Sequence, residues 1–229
     1  MADVVVVVAH PDDEVLGCGA TVARLSAEGH RVHPLILADG ETGRPGAGPT
    51  EVEARRAAAR AAAEVLGTEE PTFLDLPDQG LETRPRLELT QAIERFAEPI
   101  APALVLTHDA GDLNLDHRVV HECTVTAFRP LPDAPWAGVA TFETPSASEY
   151  GDVALGRPFA PNVFVDVTDH FETKLAAVGC YPAELRPPPH PRHPESITAL
   201  ARVRGATVGH ELAEAFALSF ARGPLLLGS

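Results

Sequence analysis

Two short stretches concentrate the residue types that bind metals and move protons. One is Ala9-His10-Pro11-Asp12-Asp13-Glu14, and the other, far downstream, is His108-Asp109-Ala110-Gly111-Asp112-Leu113-Asn114-Leu115-Asp116-His117. A catalytic zinc site takes three protein ligands of nitrogen and oxygen type and keeps a fourth position open for water. His10, Asp13 and His117 can supply that set. Adjacent carboxylates on one backbone point in different directions, so one of Asp12 and Asp13 is left free beside the ion. That is where a general base for the ion's water belongs. The implied chemistry is hydrolysis by metal-activated water.

The elements that must position these loops are legible around them. Val4 to Val8 are five consecutive valines, too short to span a membrane and not alternating, which predicts a strand buried on both faces of a parallel sheet. Helical apolar spacing follows over residues 20–28 and closes at Gly29. Residues 31–38 read as a second strand, 40–49 as a Gly/Pro-rich rim loop, and 50–66 as a helix stopped by Gly67. Strand 71–76, helix 86–97 and strand 103–107 lead into the second acidic loop, and 118–128 is helical. Strands at 139–142, 163–167 and 214–220 and helices at 168–179 and 195–208 complete the reading, with Pro187 to Pro194 stiff and extended between the last two helices. Strands alternating with helices predict an α/β fold. It would be a doubly wound, mostly parallel, Rossmann-like sheet with helices on both faces and a small C-terminal appended part. In such a sheet both loops face one crevice at the carboxyl ends of the strands.

Composition narrows the function. The 229 residues, 45% hydrophobic, suffice for a single domain spanning 1–229. A formal charge of -15 repels phosphate backbones, which argues against nucleic acid as a partner. The absence of a leader pattern or a bilayer-length apolar run predicts no membrane span and a cytoplasmic protein. Cys18, Cys123 and Cys180 are widely spaced and odd in number, fitting reduced, packed thiols.

The first stretch resembles the (A/P)HPDDE motif of the zinc-dependent N-deacetylases related to N-acetylglucosaminyl-phosphatidylinositol deacetylase, the PIG-L or LmbE-like family. Asn114-Leu115-Asp116-His117 is similar to the family's second motif, usually HPDH. The likeness continues around Arg55, in Leu76-Pro77-Asp78-Gln79-Gly80-Leu81, in Val165 to Thr168 with Lys174, and in Ala213 to Phe216. The resemblance implies one zinc ion per chain held by His10, Asp13 and His117, with Asp12 as the general base that later protonates the leaving amine. It implies substrate contacts from Arg55 and Asp78. Asn114 stands where the family more often has a histidine that polarises the amide carbonyl. An amide group can still donate to an oxyanion there but carries no positive charge. The substrate implied is a small N-acetylated sugar, aminocyclitol or sugar conjugate, and assembly into a homo-oligomer stays open.

Each residue has a plainer reading. Glu14 supports a ligand or the backbone, or merely favours the helix start, and Asp116 sits in the second motif without being a ligand. His121 follows His117 by one helical turn, where a second ligand is conceivable, but the family pattern uses His117. His108, Asp109 and Asp112 line the pocket or simply turn the loop. His190, Arg192 and His193 read as a solvated, proline-stiffened surface loop, with substrate contact from Arg192 or His193 as the alternative. Gly17-Cys18-Gly19 lacks the third glycine of a dinucleotide loop. The competing functions are a metal-dependent phosphoesterase and a non-catalytic nucleotide-binding module. Loops 40–49, 144–151 and 187–194 would set substrate choice.

Overall fold

The computed structural model describes residues 1–132, 134, 136, 138–155, 158–222 and 226–228. Strand β1 (Asp3–Val8) pairs in parallel with β2 (Arg31–Ala38) along one edge and β4 (Leu104–His108) along the other, and its valines alternate between two cores, one on each face of the sheet. Val4, Val6 and Val8 enter one core and Val5 and Val7 the other, all without solvent exposure. β3 (Thr72–Leu76) and β5 (Gly138–Phe142) extend the parallel sheet outward. β7 (Ala213–Ala221) then pairs antiparallel with β5, and β6 (Val163–Asp166) pairs antiparallel with β7. The order is β3-β2-β1-β4-β5-β7-β6, and the C-terminal part is thus appended to the β5 edge.

Helices α1 (Asp13–Ala27), α2 (Pro49–Leu66), α6 (Phe171–Gly179) and α7 (Pro194–Val208) cover one face. Helices α3 (Arg86–Ala97) and α4 (Leu115–Ala127) cover the other. Helix α5 (Ser148–Leu155) occupies ground that the sequence reads as loop. Among the described residues no helix is long and apolar enough to cross a membrane.

Helix α1 begins at Asp13, not at residue 20, and Cys18 breaks it with φ -136° and ψ 20°. The break frees polar backbone groups inside the core, where each must find a partner. The Glu214 carboxylate accepts from Ala20 N at 3.1 Å and Thr21 N at 2.7 Å. The ammonium of Lys174, the chain's sole lysine, donates to Leu16 O at 2.9 Å and to Glu214 at 2.6 Å. Helical spacing is therefore regular only after the break, which is where the sequence shows it. Just before the break, a Cβ on Gly17 would stand 2.2 Å from the Phe142 ring, so only glycine fits.

Candidate functional site

Strand β1 delivers His10 to Asp13 to the carboxyl edge of the sheet, and β4 delivers the second loop beside it through parallel register. Helix α4 starts at Leu115 rather than 118, with Asn114 as its cap: Asn114 Oδ1 accepts from Asp116 N at 2.9 Å. His117 therefore sits in the first turn of a helix, fixed by regular backbone.

Three heteroatoms converge. His10 Nδ1 lies 3.3 Å from Asp13 Oδ2, His117 Nε2 lies 3.2 Å from the same oxygen, and the two ring nitrogens are 3.3 Å apart. Ligand atoms about 2.0–2.1 Å from a tetrahedral ion stand about 3.3–3.4 Å from one another, so this triangle matches one face of such a site. All three residues are buried, and Asp13 Oδ1 has no hydrogen-bond partner. The residues fit a divalent ion.

The surroundings call for positive charge. Burial lowers the His117 pKa, yet Asp13 and Asp112 outweigh it and bring the ring to about 9. Burial likewise opposes His10, but Asp116, Asp13 and Asp78 hold it well above the usual imidazole value. Burial favours the neutral Asp13, and the charge of His117, with the contact from His10, overcomes it, keeping the carboxyl well below the usual range. A cation at the triangle satisfies the same carboxylates that otherwise hold protons on the rings.

The outer contacts orient the rings. His10 Nε2 is 3.2 Å from Asp116 Oδ2 and 3.0 Å from Asp78 Oδ1. Asp116 is itself fixed by Gln79 N at 2.8 Å and Leu81 N at 3.0 Å. His117 Nδ1 lies 3.1 Å from Asp112 Oδ2, and that carboxylate accepts from Ser148 Oγ at 3.0 Å and Asn114 N at 2.8 Å. His108 stacks on His117 with ring centres 3.9 Å apart, and its Nε2 accepts from Ala9 N at 3.0 Å. That lone pair is occupied, and burial lowers the ring to about 4, so His108 is a neutral wall. His121 Nδ1 bonds His108 O at 2.9 Å and lies outside the triangle.

Asp12 adopts φ 113°, a strained value for a residue with a Cβ. Glu14 Oε2 holds its N–H at 3.0 Å, and Glu14 Oε1 accepts from Tyr181 OH at 2.5 Å. Burial raises the Glu14 carboxyl to about 7. Asp12 Oδ2 meets Arg192 Nη1 at 2.8 Å and Arg55 Nη2 at 3.1 Å. Its pKa is raised by burial against the pull of those two arginines.

A cavity of about 250 Å³ opens over His10 and Asp12, lined also by Arg44, Arg55, Asp78, Asn114 and Arg192. A larger cavity of about 610 Å³, at Glu94, Phe128 and Trp136, touches none of the residues above. His190 and His193 do loop work: His190 Nδ1 accepts from Arg192 N at 3.1 Å and His193 Nδ1 from Glu195 N at 3.3 Å.

A family model described as PIG-L, GlcNAc-PI de-N-acetylase, matches residues 5–128, the span that carries both loops. The chain belongs to this family. It is 30% identical over 179 residues to the uncharacterized deacetylase YaiS of Escherichia coli K12, covering 74% of this chain and 85% of YaiS. It is 28% identical over 217 residues to the diacetylchitobiose deacetylase of Thermococcus kodakarensis, covering 90% of this chain and 78% of that one. Among solved structures, GalB, the 4-carboxy-2-hydroxymuconate hydratase of Pseudomonas putida KT2440, superposes with TM-score 0.80 at 25% identity over 100% of both chains.

Within this PIG-L chain the site also draws on residues beyond the matched span. Ser148, Tyr181, Glu184 and Arg192 all contact it. Tyr181 and Glu184 have no signal in the sequence, because their partners lie far away along the chain. Asp112 carried one: it stands five residues before His117 in the acidic loop, a position that turn chemistry explained equally well.

Proposed function

We propose that the chain is a zinc-dependent N-deacetylase acting on an N-acetylated sugar or sugar conjugate, with residues 1–229 as one catalytic domain. The observation that carries this reading is the triangle of His10 Nδ1, Asp13 Oδ2 and His117 Nε2, 3.2–3.3 Å on a side, beneath a cavity that Asp12 also lines. When bound, the ion supplies a Lewis acid for the acyl oxygen and lowers the pKa of a water to about 7. Asp12 is placed to accept a proton from the attacking water and would return it to the departing nitrogen, because an amide anion leaves poorly. Asn114 has its Oδ1 committed to Asp116 N, which leaves its amino group to donate toward the acyl oxygen. Arg55, Asp78 and Arg192 line the same cavity and bind substrate hydroxyls.

The full-length likeness to a hydratase supports a second reading, the addition of water to an unsaturated carboxylate. Three guanidiniums at the cavity would suit such a substrate. One panel separates the two readings. The metal-loaded chain is incubated with N-acetylglucosamine, N,N'-diacetylchitobiose and a 2-hydroxymuconate, following amine appearance and loss of enol absorbance. Amine release that disappears in Asp12→Asn supports the deacetylase. Enol consumption without amine release sinks it.

A further inference from the structure

The ion pairs around Asp12 close into a ring. Asp12 Oδ2 contacts Arg192 Nη1 at 2.8 Å and Arg55 Nη2 at 3.1 Å. Both arginines then turn to Glu184: Arg192 Nη1 reaches Glu184 Oε2 at 3.1 Å, and Arg55 Nη1 pairs with Glu184 Oε1. Arg44, from the rim loop after β2, adds a two-pronged contact to Glu184 at 2.8 and 3.0 Å. Glu184 lies in the segment between α6 and α7, beyond the residues the family model matches, and its side chain is only 4% exposed.

Both guanidiniums fall on the same oxygen of Asp12. Among the described residues no hydrogen bond reaches Oδ1, which leaves it the oxygen with lone pairs to spare. We infer that Glu184 is a positioning residue, which holds Arg55 and Arg192 against Asp12 Oδ2 so that Asp12 presents Oδ1 to the reacting water. This rests on the proposed role of Asp12 as general base.

The physical reason is charge balance at short range. Without Glu184, Arg44, Arg55 and Arg192 would crowd together with Asp12 and Glu41 as their remaining carboxylates. Like charges so close repel: Arg44, 43% exposed, turns to water first, and of the two guanidiniums that rest on Asp12 the more exposed one follows. Arg192 is 20% exposed against 6% for Arg55, and Ser146 Oγ, at 2.7 Å from its Nε, is a weak tether. Once Arg192 swings out, Asp12 loses its shortest contact. The terminal torsion of an aspartate is soft, so the carboxylate then rotates between its two oxygens.

The test reads geometry and rate separately on the zinc-loaded full chain. Phenylglyoxal labelling, mapped by mass spectrometry, reports how tightly Arg192 is held, and acetate release from N,N'-diacetylchitobiose at saturation reports kcat. In Glu184→Gln, Arg192 is expected to label faster than in wild type, and kcat to fall about ten- to a hundredfold, the scale of a misplaced catalytic group. Glu184→Asp, which keeps the charge, is expected to recover part of both. Unchanged Arg192 labelling overturns the inference, and so does faster labelling with a wild-type kcat. Equal losses in Glu184→Gln and Glu184→Asp mark a merely structural role and overturn it too. The failures are distinguishable. Wild-type turnover in Asp12→Asn defeats the base reading together with its positioning, whereas an inactive Asp12→Asn beside a fully active Glu184→Gln defeats the positioning alone.

Discussion

His10 Nδ1 and His117 Nε2 stand 3.3 Å apart although 107 positions separate them in the chain. Two ring nitrogens that close cannot both point protons at each other, and the oxygen they share, Asp13 Oδ2, is equally near both. The arrangement is stable only around something positive. The strands bring it about: parallel pairing of β1 with β4 sets the two loops side by side at one end of the sheet.

If Asp112 steers His117, its charge is felt in metal affinity. Asp112→Asn keeps the size of the side chain but weakens the hold on His117 Nδ1, now 3.1 Å away. Loss of such an outer contact costs about 10–100-fold in affinity. Competition against a chromogenic zinc chelator measures it, and wild-type affinity in the variant would remove Asp112 from that role.

Asn114 combines two functions that one substitution separates. Asn114→Asp keeps the oxygen that caps Asp116 N at 2.9 Å and loses the amino group. The helix should persist, with a melting temperature near that of wild type, while kcat for an N-acetyl sugar falls about 10²–10³-fold, as for a lost oxyanion donor. Unchanged kcat would show that the amino group touches nothing that matters to the reaction.

Much of this is legible from the residues, and the reasons differ from one element to the next. The valine run fixes β1 because only a strand covered on both faces accommodates it, and the bounds of β2 and α3 are those the sequence suggests. The start of α1 is hidden because its first turn is short, polar and set off by the break at Cys18. Glu184 is invisible for another reason. A glutamate in a proline-rich neighbourhood looks like solvated surface, and only the fold brings Arg44, Arg55 and Arg192 to it. Arg192 itself emerges from the loop the composition describes as stiff and extended, and reaches Asp12 from there.

Acid stability should carry the mark of Glu184. Burial alone would raise its carboxyl, but the hydrogen bond from Arg44 and the charge of Arg55 bring it from 4.5 to about 2. A pKa lowered by folding contributes stability above the unfolded value and loses it as pH falls through the folded one. The melting-temperature gap between wild type and Glu184→Gln should therefore narrow between pH 4.5 and about 2. A gap that stays constant across that window contradicts the assignment.

The broken helix α1 offers a stability test away from the chemistry. Lys174→Met leaves Glu214 buried without its cation, and breaking a buried pair costs about 3–5 kcal/mol. Gly17→Ala pushes a methyl to within 2.2 Å of Phe142, an overpacking expected to cost about 1–3 kcal/mol. Urea unfolding of each variant reads both values, and wild-type stability in Lys174→Met would mean that the ion pair does not secure the break.

The most direct measurement of the central claim is zinc-edge X-ray absorption on the loaded chain. The expected result is one ion in a shell of two imidazole nitrogens and carboxylate or water oxygens at about 2.0–2.1 Å, with the histidine signal lost together with the metal in His117→Ala. A sulfur shell at about 2.3 Å, or full retention of the ion in His117→Ala, would place the metal elsewhere and contradict the account.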